Sequence, residues 1–385
     1  MIMSNPKIRF MDFTDAWEQR KLSDVTDEFQ SGKFIAAADI EEAGEYPVYG
    51  GNGLRGYCNT YNHDGDFALI GRQGALCGNM NFSCGKAYFT EHAVAVKANS
   101  SSNTRFLYYM LDKMNLGQYS DQSAQPGLAV GKLIKLENMF PSKEEQDKVG
   151  GFFVELDNLI TLHQRKCDET KELKKYMLQK MFPKNGEKVP EIRFAGFTDD
   201  WEQRKLSNLI IEYKETVDSD CTLPVLTSSK TEGVVLQEEH FGRVQNHDIT
   251  GYNILPRNYC TYRNRSDGVD FTFNINRCCD KGIISKFYPV FYGNNSDIFF
   301  ISMVLNYCDE VVHEIAYTCT GTGQKVLSFL DLQKMNIRVP SYDEQKKISQ
   351  YFEQLDNLIT LHQRKCEDLK ELKKYMLQNM FPTKG

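Results

Sequence analysis

The sequence has little of what marks several large classes of protein. Its 385 residues contain no apolar run near the roughly 20 residues that a membrane-spanning helix needs. The start of the chain shows no basic segment followed by an apolar stretch and a small-residue cleavage site, so no export signal is visible. We therefore expect a protein of the cytoplasm that makes no contact with a membrane.

Metal-ligand motifs and an excess of basic residues are also lacking. No CxxC pair and no HExxH sequence occurs, so we predict no bound metal. The 11 cysteines are odd in number and scattered, which favours free, buried thiols over a disulfide framework. The formal net charge is −6, so the chain lacks the basic excess of a typical polyanion-binding protein. Any surface for nucleic acid must therefore be local.

What the sequence does have is a long internal repeat. The string PKIRFMDFTDAWEQRKLS at residues 6–23 returns as PEIRFAGFTDDWEQRKLS at residues 190–207. A second string, at residues 156–182, returns almost unchanged at residues 355–381. We call these matching strings the frame, and the unlike segments that follow Ser23 and Ser207 the two inserts. Because drift after a duplication would change all parts alike, the frame is predicted to be architectural and the inserts to be variable reading surfaces.

The second string of the frame predicts a long helix. Its core positions recur at alternating steps of three and four, as in the seam of a coiled coil. In the first copy these positions are Phe153, Leu156, Ile160, His163, Cys167, Thr170, Lys174, Met177 and Met181. In the second copy they are Phe352, Leu355, Ile359, His362, Cys366, Leu369, Lys373, Met376 and Met380. Ser142 with Glu145, and Ser341 with Glu344, have the spacing of a capping box at the helix start.

A helix of about 40 residues must bury its seam, and the nearest partner of equal length is the other copy. We predict an α+β fold in which two antiparallel coiled-coil helices, related by a pseudo-two-fold axis, separate two mixed α/β domains. The predicted boundaries are 1–141 and 184–340 for the domains, and 142–183 and 341–385 for the helices. Duplex DNA has local two-fold axes of the same kind, so two unlike domains predict two unlike half-sites with an unread gap.

Three stretches of the inserts carry residue types that contact bases or phosphates. In the first insert, the glycine-rich loop YGGNGLRGY and the turn GRQG offer Tyr49, Asn52, Arg55, Tyr57, Arg72 and Gln73. In the second insert, a basic stretch interleaved with aromatics offers Arg257, Asn258, Tyr259, Tyr262, Arg263, Asn264 and Arg265, which Arg243, Asn246 and Lys286 extend. The alternatives are that glycine turns serve backbone geometry alone and that the arginine-rich stretch is a solvated loop.

This layout resembles the specificity (S) subunit of type I restriction-modification enzymes. The resemblance covers essentially the whole chain, and its motifs are WEQRKLS at Trp17 and Trp201, PSKEEQ and PSYDEQ at Pro141 and Pro340, and LDNLITLHQRK twice. It implies that the inserts are target recognition domains, each reading one half of a split sequence in double-stranded DNA, with the helices as spacer. Gln125 and Gln324 lie at matching places ahead of the second part of the frame. They are further DNA-contact candidates, and a turn at a helix start is the alternative for both.

The resemblance also implies partners that carry the chemistry. Two methyltransferase (M) subunits would bind S-adenosylmethionine and methylate adenine N6, and restriction (R) subunits would cleave unmethylated DNA with ATP and Mg. The chain itself would bind no cofactor and catalyse nothing; it has no NPPF or DPPY box and no GxxxxGK[ST] loop. Two alternatives remain: an autonomous nuclease or methyltransferase, and a structural coiled-coil protein with two unrelated binding domains, which the acidic net charge favours.

Overall fold

The chain folds into two compact units. The structure is a computed structural model and describes residues 5–121, 127–184, 186–244, 248–321 and 323–382. The first unit comprises residues 1–165 and 362–385, and the second comprises residues 166–361. Each unit thus contains one insert and part of each long helix. The predicted boundaries between recognition domains and spacer helices remain predictions.

Over its described residues, the first unit has ten strands and two short α-helices ahead of the first long helix. The strands are β1 (Glu18–Lys21), β2 (Thr26–Ser31), β3 (Tyr46–Gly50), β4 (Gly53–Cys58), β5 (His63–Asp64), β6 (Phe67–Gly71), β7 (Met80–Ser83), β8 (Lys86–Phe89), β9 (Ala93–Ala98) and β10 (Glu137–Phe140). The helices are α1 (Thr104–Lys113), α2 (Val130–Leu133) and the long α3 (Lys143–Lys180). The 38 residues of α3 are close to the predicted length of about 40.

The second insert has more and shorter strands. These are β11 (Glu202–Lys205), β12 (Ile210–Tyr213), β13 (Leu226–Ser229), β14 (Gly233–Leu236), β15 (Asn253–Pro256), β16 (Cys260–Thr261), β17 (Arg265–Ser266), β18 (Asn274–Ile275), β19 (Lys281–Ile284), β20 (Val290–Gly293), β21 (Lys325–Val326) and β22 (Asn336–Val339). The helices are α4 (Gln237–Phe241), α5 (Ile298–Tyr307), α6 (Asp309–Thr318), α7 (Phe329–Lys334) and the long α8 (Tyr342–Asn379).

A two-stranded antiparallel ribbon closes each insert at its base. In the first unit β1 pairs with β10, with Glu18 opposite Phe140. In the second unit β11 pairs with β22, with Glu202 opposite Val339. The strands β1 and β11 are the EQRK segment of the frame, and their partners lead directly into α3 and α8. Because its two ends stay paired, an insert can change in length and sequence without breaking the frame.

Between the ribbon strands, the two inserts fold differently. The first builds two four-stranded sheets, with strand orders β2-β9-β6-β7 and β4-β3-β8-β5. The second builds one four-stranded sheet, β12-β20-β16-β18, and the two-stranded pairs β13-β14, β15-β19 and β17-β21. Both combine strands with helices, so the prediction of two mixed α/β domains of unlike structure is confirmed.

The long helices run antiparallel where they pair in the first unit. Phe153 of α3 stacks on Phe381, just beyond the end of α8, with ring centroids 5.9 Å apart. Further along α3, the carboxylate of Asp157 accepts a hydrogen bond from Lys373 at 2.6 Å. His163 then meets His362, with 3.0 Å between their Nδ1 atoms. As the residue number increases along α3, the number of its contact partner on or just beyond α8 therefore decreases, as in an antiparallel pair.

The second unit repeats this order with the roles of the helices exchanged. The ring of Phe182, just beyond the end of α3, has its centroid 6.4 Å from that of Phe352 on α8. Lys174 donates a hydrogen bond to the carboxylate of Asp356 at 2.5 Å. All 18 predicted seam positions are buried or half-buried, so the predicted seam is confirmed. The two lysines of the seam, Lys174 and Lys373, are accommodated because each forms an ion pair with an aspartate of the opposite helix.

A buried ion pair joins the first string of the frame to the first turn of a long helix in each unit. Arg9 donates two hydrogen bonds of 2.7 Å to the carboxylate of Glu145, which is 1% exposed. Arg193 and Glu344 repeat this pair with the same distances. The capping-box prediction is therefore only half right. The Ser142 hydroxyl accepts from the backbone N–H of Glu145 at 3.4 Å, as predicted. The Glu145 carboxylate, however, binds Arg9 and does not cap the helix.

The glutamine of each PSxxEQ-type motif links the helix start to the insert. Gln146 donates from Nε2 to the Pro141 carbonyl, and its Oε1 accepts from the backbone N–H of Asn103, the N-cap of α1. Gln345 makes the same two bonds to Pro340 and to Asp297, the N-cap of α5. Since both glutamines are 1% exposed, these bonds satisfy groups that would otherwise be buried without partners.

Two further expectations concern cysteines and membranes. Each of the 11 cysteines is a free thiol; five are buried, whereas Cys84 and Cys278 are exposed. The expectation of buried thiols thus holds for only part of the set.

Within the described ranges, none of the helices combines the length and apolar character that crossing a bilayer requires.

Replacing Arg9 with alanine should lower the free energy of unfolding of the first unit by about 3–5 kcal/mol, because Glu145 stays buried without its partner. Denaturant unfolding can be followed by the fluorescence of Trp17, in a W201F background that leaves one tryptophan. The control is Arg20→Ala, which removes an exposed pair with Glu18 and should cost less than about 1 kcal/mol. Equal effects of the two substitutions would contradict the role given to the buried pair.

Candidate nucleic-acid interface

A cleft of about 770 Å³ in the second unit brings together four of the predicted contact residues. They are Arg243, Arg263, Arg265 and Gln324. The cleft is also lined by apolar and aromatic side chains, among them Phe241, Val244, Tyr252, Phe287 and Tyr288. A neighbouring cavity of about 440 Å³ shares Arg263, Arg265 and Tyr288 with it. Basic and aromatic groups around a groove are the combination that nucleic-acid-binding surfaces use.

Short strands bring these distant residues together. Arg265 lies in β17, where it is opposite Val326 of β21, and this pairing carries Gln324 to the rim of the same cleft. The backbone N–H of Leu327 also donates to the Asn264 carbonyl at 3.0 Å. The guanidinium of Arg265 lies over the ring of Phe287, 4.7 Å from its centroid. Lys286, also predicted, lies 5.9 Å from the centroid of that ring and is exposed.

The charges of the cleft are not neutralised locally. Among the described residues, no carboxylate forms an ion pair with Arg243, Arg263 or Arg265. Asp267 and Asp270, which line the adjacent cavity, have other partners: Asp267 accepts from Gln324 Nε2 at 3.4 Å, and Asp270 pairs with Lys230. A chain of net charge −6 therefore presents a locally basic groove.

The structure divides the predicted basic stretch at residues 257–265 into two groups. Arg257 is held by Asp280 at 2.8 Å and by the Arg277 carbonyl at 3.0 Å. The amide oxygen of Asn258 accepts from Arg277, whose guanidinium also pairs with Glu353. These side chains form a network of their own and are not among the residues that line the cleft.

The two tyrosines of the same stretch differ in burial. Tyr262 is fully buried and donates its hydroxyl to the Leu327 carbonyl at 3.0 Å, and burial strongly raises the pKa of its phenol. As a direct DNA contact, Tyr262 is therefore a wrong choice, because its side chain does not reach the surface. Tyr259 is half-buried between Tyr213 and Tyr292, each with a ring centroid 5.1 Å away.

In the first unit, the two predicted glycine loops touch each other. A Cβ on Gly71 would lie 2.3 Å from the Gly51 carbonyl oxygen, so only glycine permits this approach. Gln73 Oε1 lies 3.0 Å from Nδ1 of His92, a residue that the sequence did not single out. Arg72 donates to the Ser31 hydroxyl at 3.3 Å and is half-buried.

The remaining predicted residues of this loop differ in exposure. Asn52, at the tip of the β3-β4 hairpin, and Arg55, on β4, are exposed. Tyr49 is half-buried against Phe89, and burial raises the pKa of its hydroxyl. Tyr57 is half-buried, and its backbone pairs with Glu41. Gln125 and Asn246 lie outside the described residues. Apart from Tyr262, the assignments of DNA-contact residues stay predictions.

Comparisons with known proteins identify the family. The model of the type I restriction modification DNA specificity domain matches residues 14–172 and 284–371, which is more than half of the chain. The chain belongs to this family. The resemblance inferred from the repeated frame is therefore confirmed.

Individual relatives agree with this assignment. The EcoprrI specificity subunit of Escherichia coli, a type I restriction enzyme component, is 47% identical over 134 residues, covering 34% of this chain and 33% of the relative. The chain thus spans about a third of the length of the first curated relatives it matches. The MjaX specificity subunit of Methanocaldococcus jannaschii is 22% identical over 89% of this chain and 80% of its own.

The fold agrees with a solved structure as well. The crystal structure of the type I restriction-modification system S subunit from M. genitalium superposes with a TM-score of 0.69, covering 99% of this chain and 100% of that one. The two sequences are 13% identical, so this likeness concerns the fold alone. It supports the predicted fold class of two mixed α/β domains with long helices.

Replacing Tyr262 with phenylalanine should destabilise the second unit by roughly 1–3 kcal/mol, because the buried Leu327 carbonyl loses its hydrogen-bond donor. The unfolding transition can be followed through Trp201 in a W17F background. The control is Tyr259→Phe, whose half-buried hydroxyl should contribute about 0.5 kcal/mol or less. A Y262F protein of unchanged stability but weakened DNA binding would contradict the structural role given to Tyr262.

Proposed function

We propose that this chain is the DNA-reading specificity subunit of a type I restriction-modification complex and that it recognises a bipartite, asymmetric target. The observation that carries the proposal is the repetition of one frame around two different inserts. The ribbon, the buried ion pair and the helix contacts recur in both units, whereas the sheets of the inserts differ in number and order. Two unlike surfaces on equivalent supports suit two unlike half-sites.

The antiparallel order of the helical segments supports a spacer role. In each unit, a segment of α3 pairs with a segment of α8 through the same types of contact. A rigid paired helix has a defined rise per residue, so it can set the number of base pairs left unread between half-sites.

The cleft of the second unit is the best-supported contact surface with double-stranded DNA. Its three arginines lack carboxylate partners among the described residues, so their charge is available to phosphates and to base edges. In the first unit, we propose that the paired glycine loops with Asn52, Arg55, Arg72 and Gln73 serve the other half-site. The exposed loop tips and the close backbone approach support this assignment.

Each unit also presents an equivalent apolar surface on its helices. Leu372 and Tyr375 lie one turn apart on α8 in the first unit, and Leu173 and Tyr176 occupy the matching positions on α3 in the second. These four side chains are between 43% and 56% exposed. Since exposed apolar patches mark interaction sites, two equal patches support the docking of two copies of one partner. We propose that this partner is the methyltransferase subunit and that restriction subunits join the complex.

In this proposal the chain performs no catalysis and binds no cofactor. S-adenosylmethionine, ATP and Mg would be used by the partner subunits, and the assembly would act in the cytoplasm. The role of the chain is to hold the duplex in register, so that a methyltransferase can take the target adenine out of the base stack. Methylation or cleavage of DNA by the purified chain alone would instead identify an autonomous enzyme.

Exchanging residues 24–136 for the insert of another family member should change one half-site of the target and leave the other half and the gap unchanged. The reason is that the β1-β10 ribbon closes the insert independently of the second unit. Sequencing of modified adenines, in cells that also carry the methyltransferase, measures the target. The reciprocal exchange of residues 208–335 is the matched control and should change the other half-site. A continuous target, or a change in both halves from one exchange, would contradict the proposal.

Charged substitutions on one helix surface should remove one partner copy. The double variant L173E/Y176E is expected to bind one methyltransferase subunit in place of two, because charge is costly to bury in an apolar contact. Its counterpart L372E/Y375E should do the same, and the combined variant should bind none. Native mass spectrometry of purified mixtures gives the stoichiometry directly. Two bound copies in every variant would show that these surfaces are not the docking sites.

A further inference from the structure

We propose that Arg265 is the side chain with which the second unit reads a guanine, and that Phe287 holds it in the reading position. This inference rests on the proposed function, because it assigns one base contact within the proposed DNA-binding cleft. It distinguishes Arg265 from the other arginines of the same cleft, which we expect to contact phosphates without reading sequence.

The position of Arg265 is fixed by elements that are distant in sequence and meet only in the folded chain. Its backbone is held in the β17-β21 pair, opposite Val326. Its guanidinium lies over the ring of Phe287, 4.7 Å from the centroid, and Phe287 is itself 39% exposed at the cleft. Contact with a ring face restricts the guanidinium and does not use its N–H donors. Those donors can form the two hydrogen bonds to O6 and N7 of guanine.

Nearby acids do not compete for these donors. Asp267 and Asp270 line the adjacent cavity together with Arg265. Asp267 accepts from Gln324, and Asp270 pairs with Lys230, which lowers the pKa of the Asp270 carboxyl. Over the described ranges of the chain, Arg265 consequently has no carboxylate partner. Arg257, only eight residues earlier, is by contrast bound by Asp280 and by the Arg277 carbonyl.

Comparison with Arg263 shows what the Phe287 ring contributes to Arg265. It lines the same two cavities and is exposed, but in the described structure no aromatic face lies under its guanidinium. A flexible cation suits a phosphate, which is an acceptor from any direction, better than the edge of one base. Substitutions of the two arginines should therefore have different effects. Loss of Arg265 should reduce discrimination between bases, and loss of Arg263 should reduce overall affinity for DNA.

The test uses the full chain with its methyltransferase partner and a pool of duplexes randomised across both half-sites, from which bound molecules are sequenced. The wild type should select guanine at a position where R265A and R265K lose discrimination by roughly 5- to 150-fold. Lysine keeps the charge but not the paired donors, so R265K should keep most of the affinity. F287L should give a smaller loss at the same position, and the other half-site should be unchanged in all three.

Two controls separate this inference from the proposed function. R263A should weaken binding to all sequences alike and lessen its dependence on salt, and R204A, on the exposed strand β11 of the frame, should leave the selected sequence unchanged. Thermal unfolding of each variant checks that the second unit still folds. A uniform loss of affinity in R265A, or unchanged selection, overturns the assignment to guanine while the proposed function stands. If the wild type selects no sequence from the pool, the proposed function fails and the assignment fails with it.

Discussion

The bidentate ion pair between a frame arginine and the first turn of a long helix is the interaction on which the rest of each unit depends. Arg9 and Glu145 are 136 residues apart, and Arg193 and Glu344 are 151 apart, with a complete insert between each pair. Because the carboxylates are almost fully buried, neither arginine can be lost without leaving an unpaired charge in the core. The pair therefore fixes where the two ends of the insert meet the helix.

The two copies of the frame are similar but not identical in their polar contacts. Trp17 donates from Nε1 to Glu145 at 3.3 Å, whereas the Nε1 of Trp201 is buried without a hydrogen-bond partner among the described residues. Both rings nevertheless pack against the aromatic group that ends a long helix, Phe381 in one unit and Phe182 in the other. The apolar contact is thus common to both units, and the polar one differs.

Local pairing of charges explains how an acidic chain can carry a basic cleft. Ion pairs neutralise the arginines that build the structure, such as Arg9, Arg193 and Arg257. The arginines of the cleft remain unpaired because neighbouring acids are taken up by Lys230 and Gln324. Net charge describes the whole chain, whereas binding depends on which charges lack a partner locally.

The sequence by itself determined the repeat, the two long helices and their seam, because these follow from periodicity along the chain. It also determined that the inserts are unlike. Only the tertiary structure decided that Glu145 pairs with arginine in place of capping its helix, and that Tyr262 lies in the core. It likewise decided which arginines of residues 257–265 face the cleft. The physical reason is that a side chain's partner is set by residues far away in sequence, such as Phe287 for Arg265 and Asp280 for Arg257.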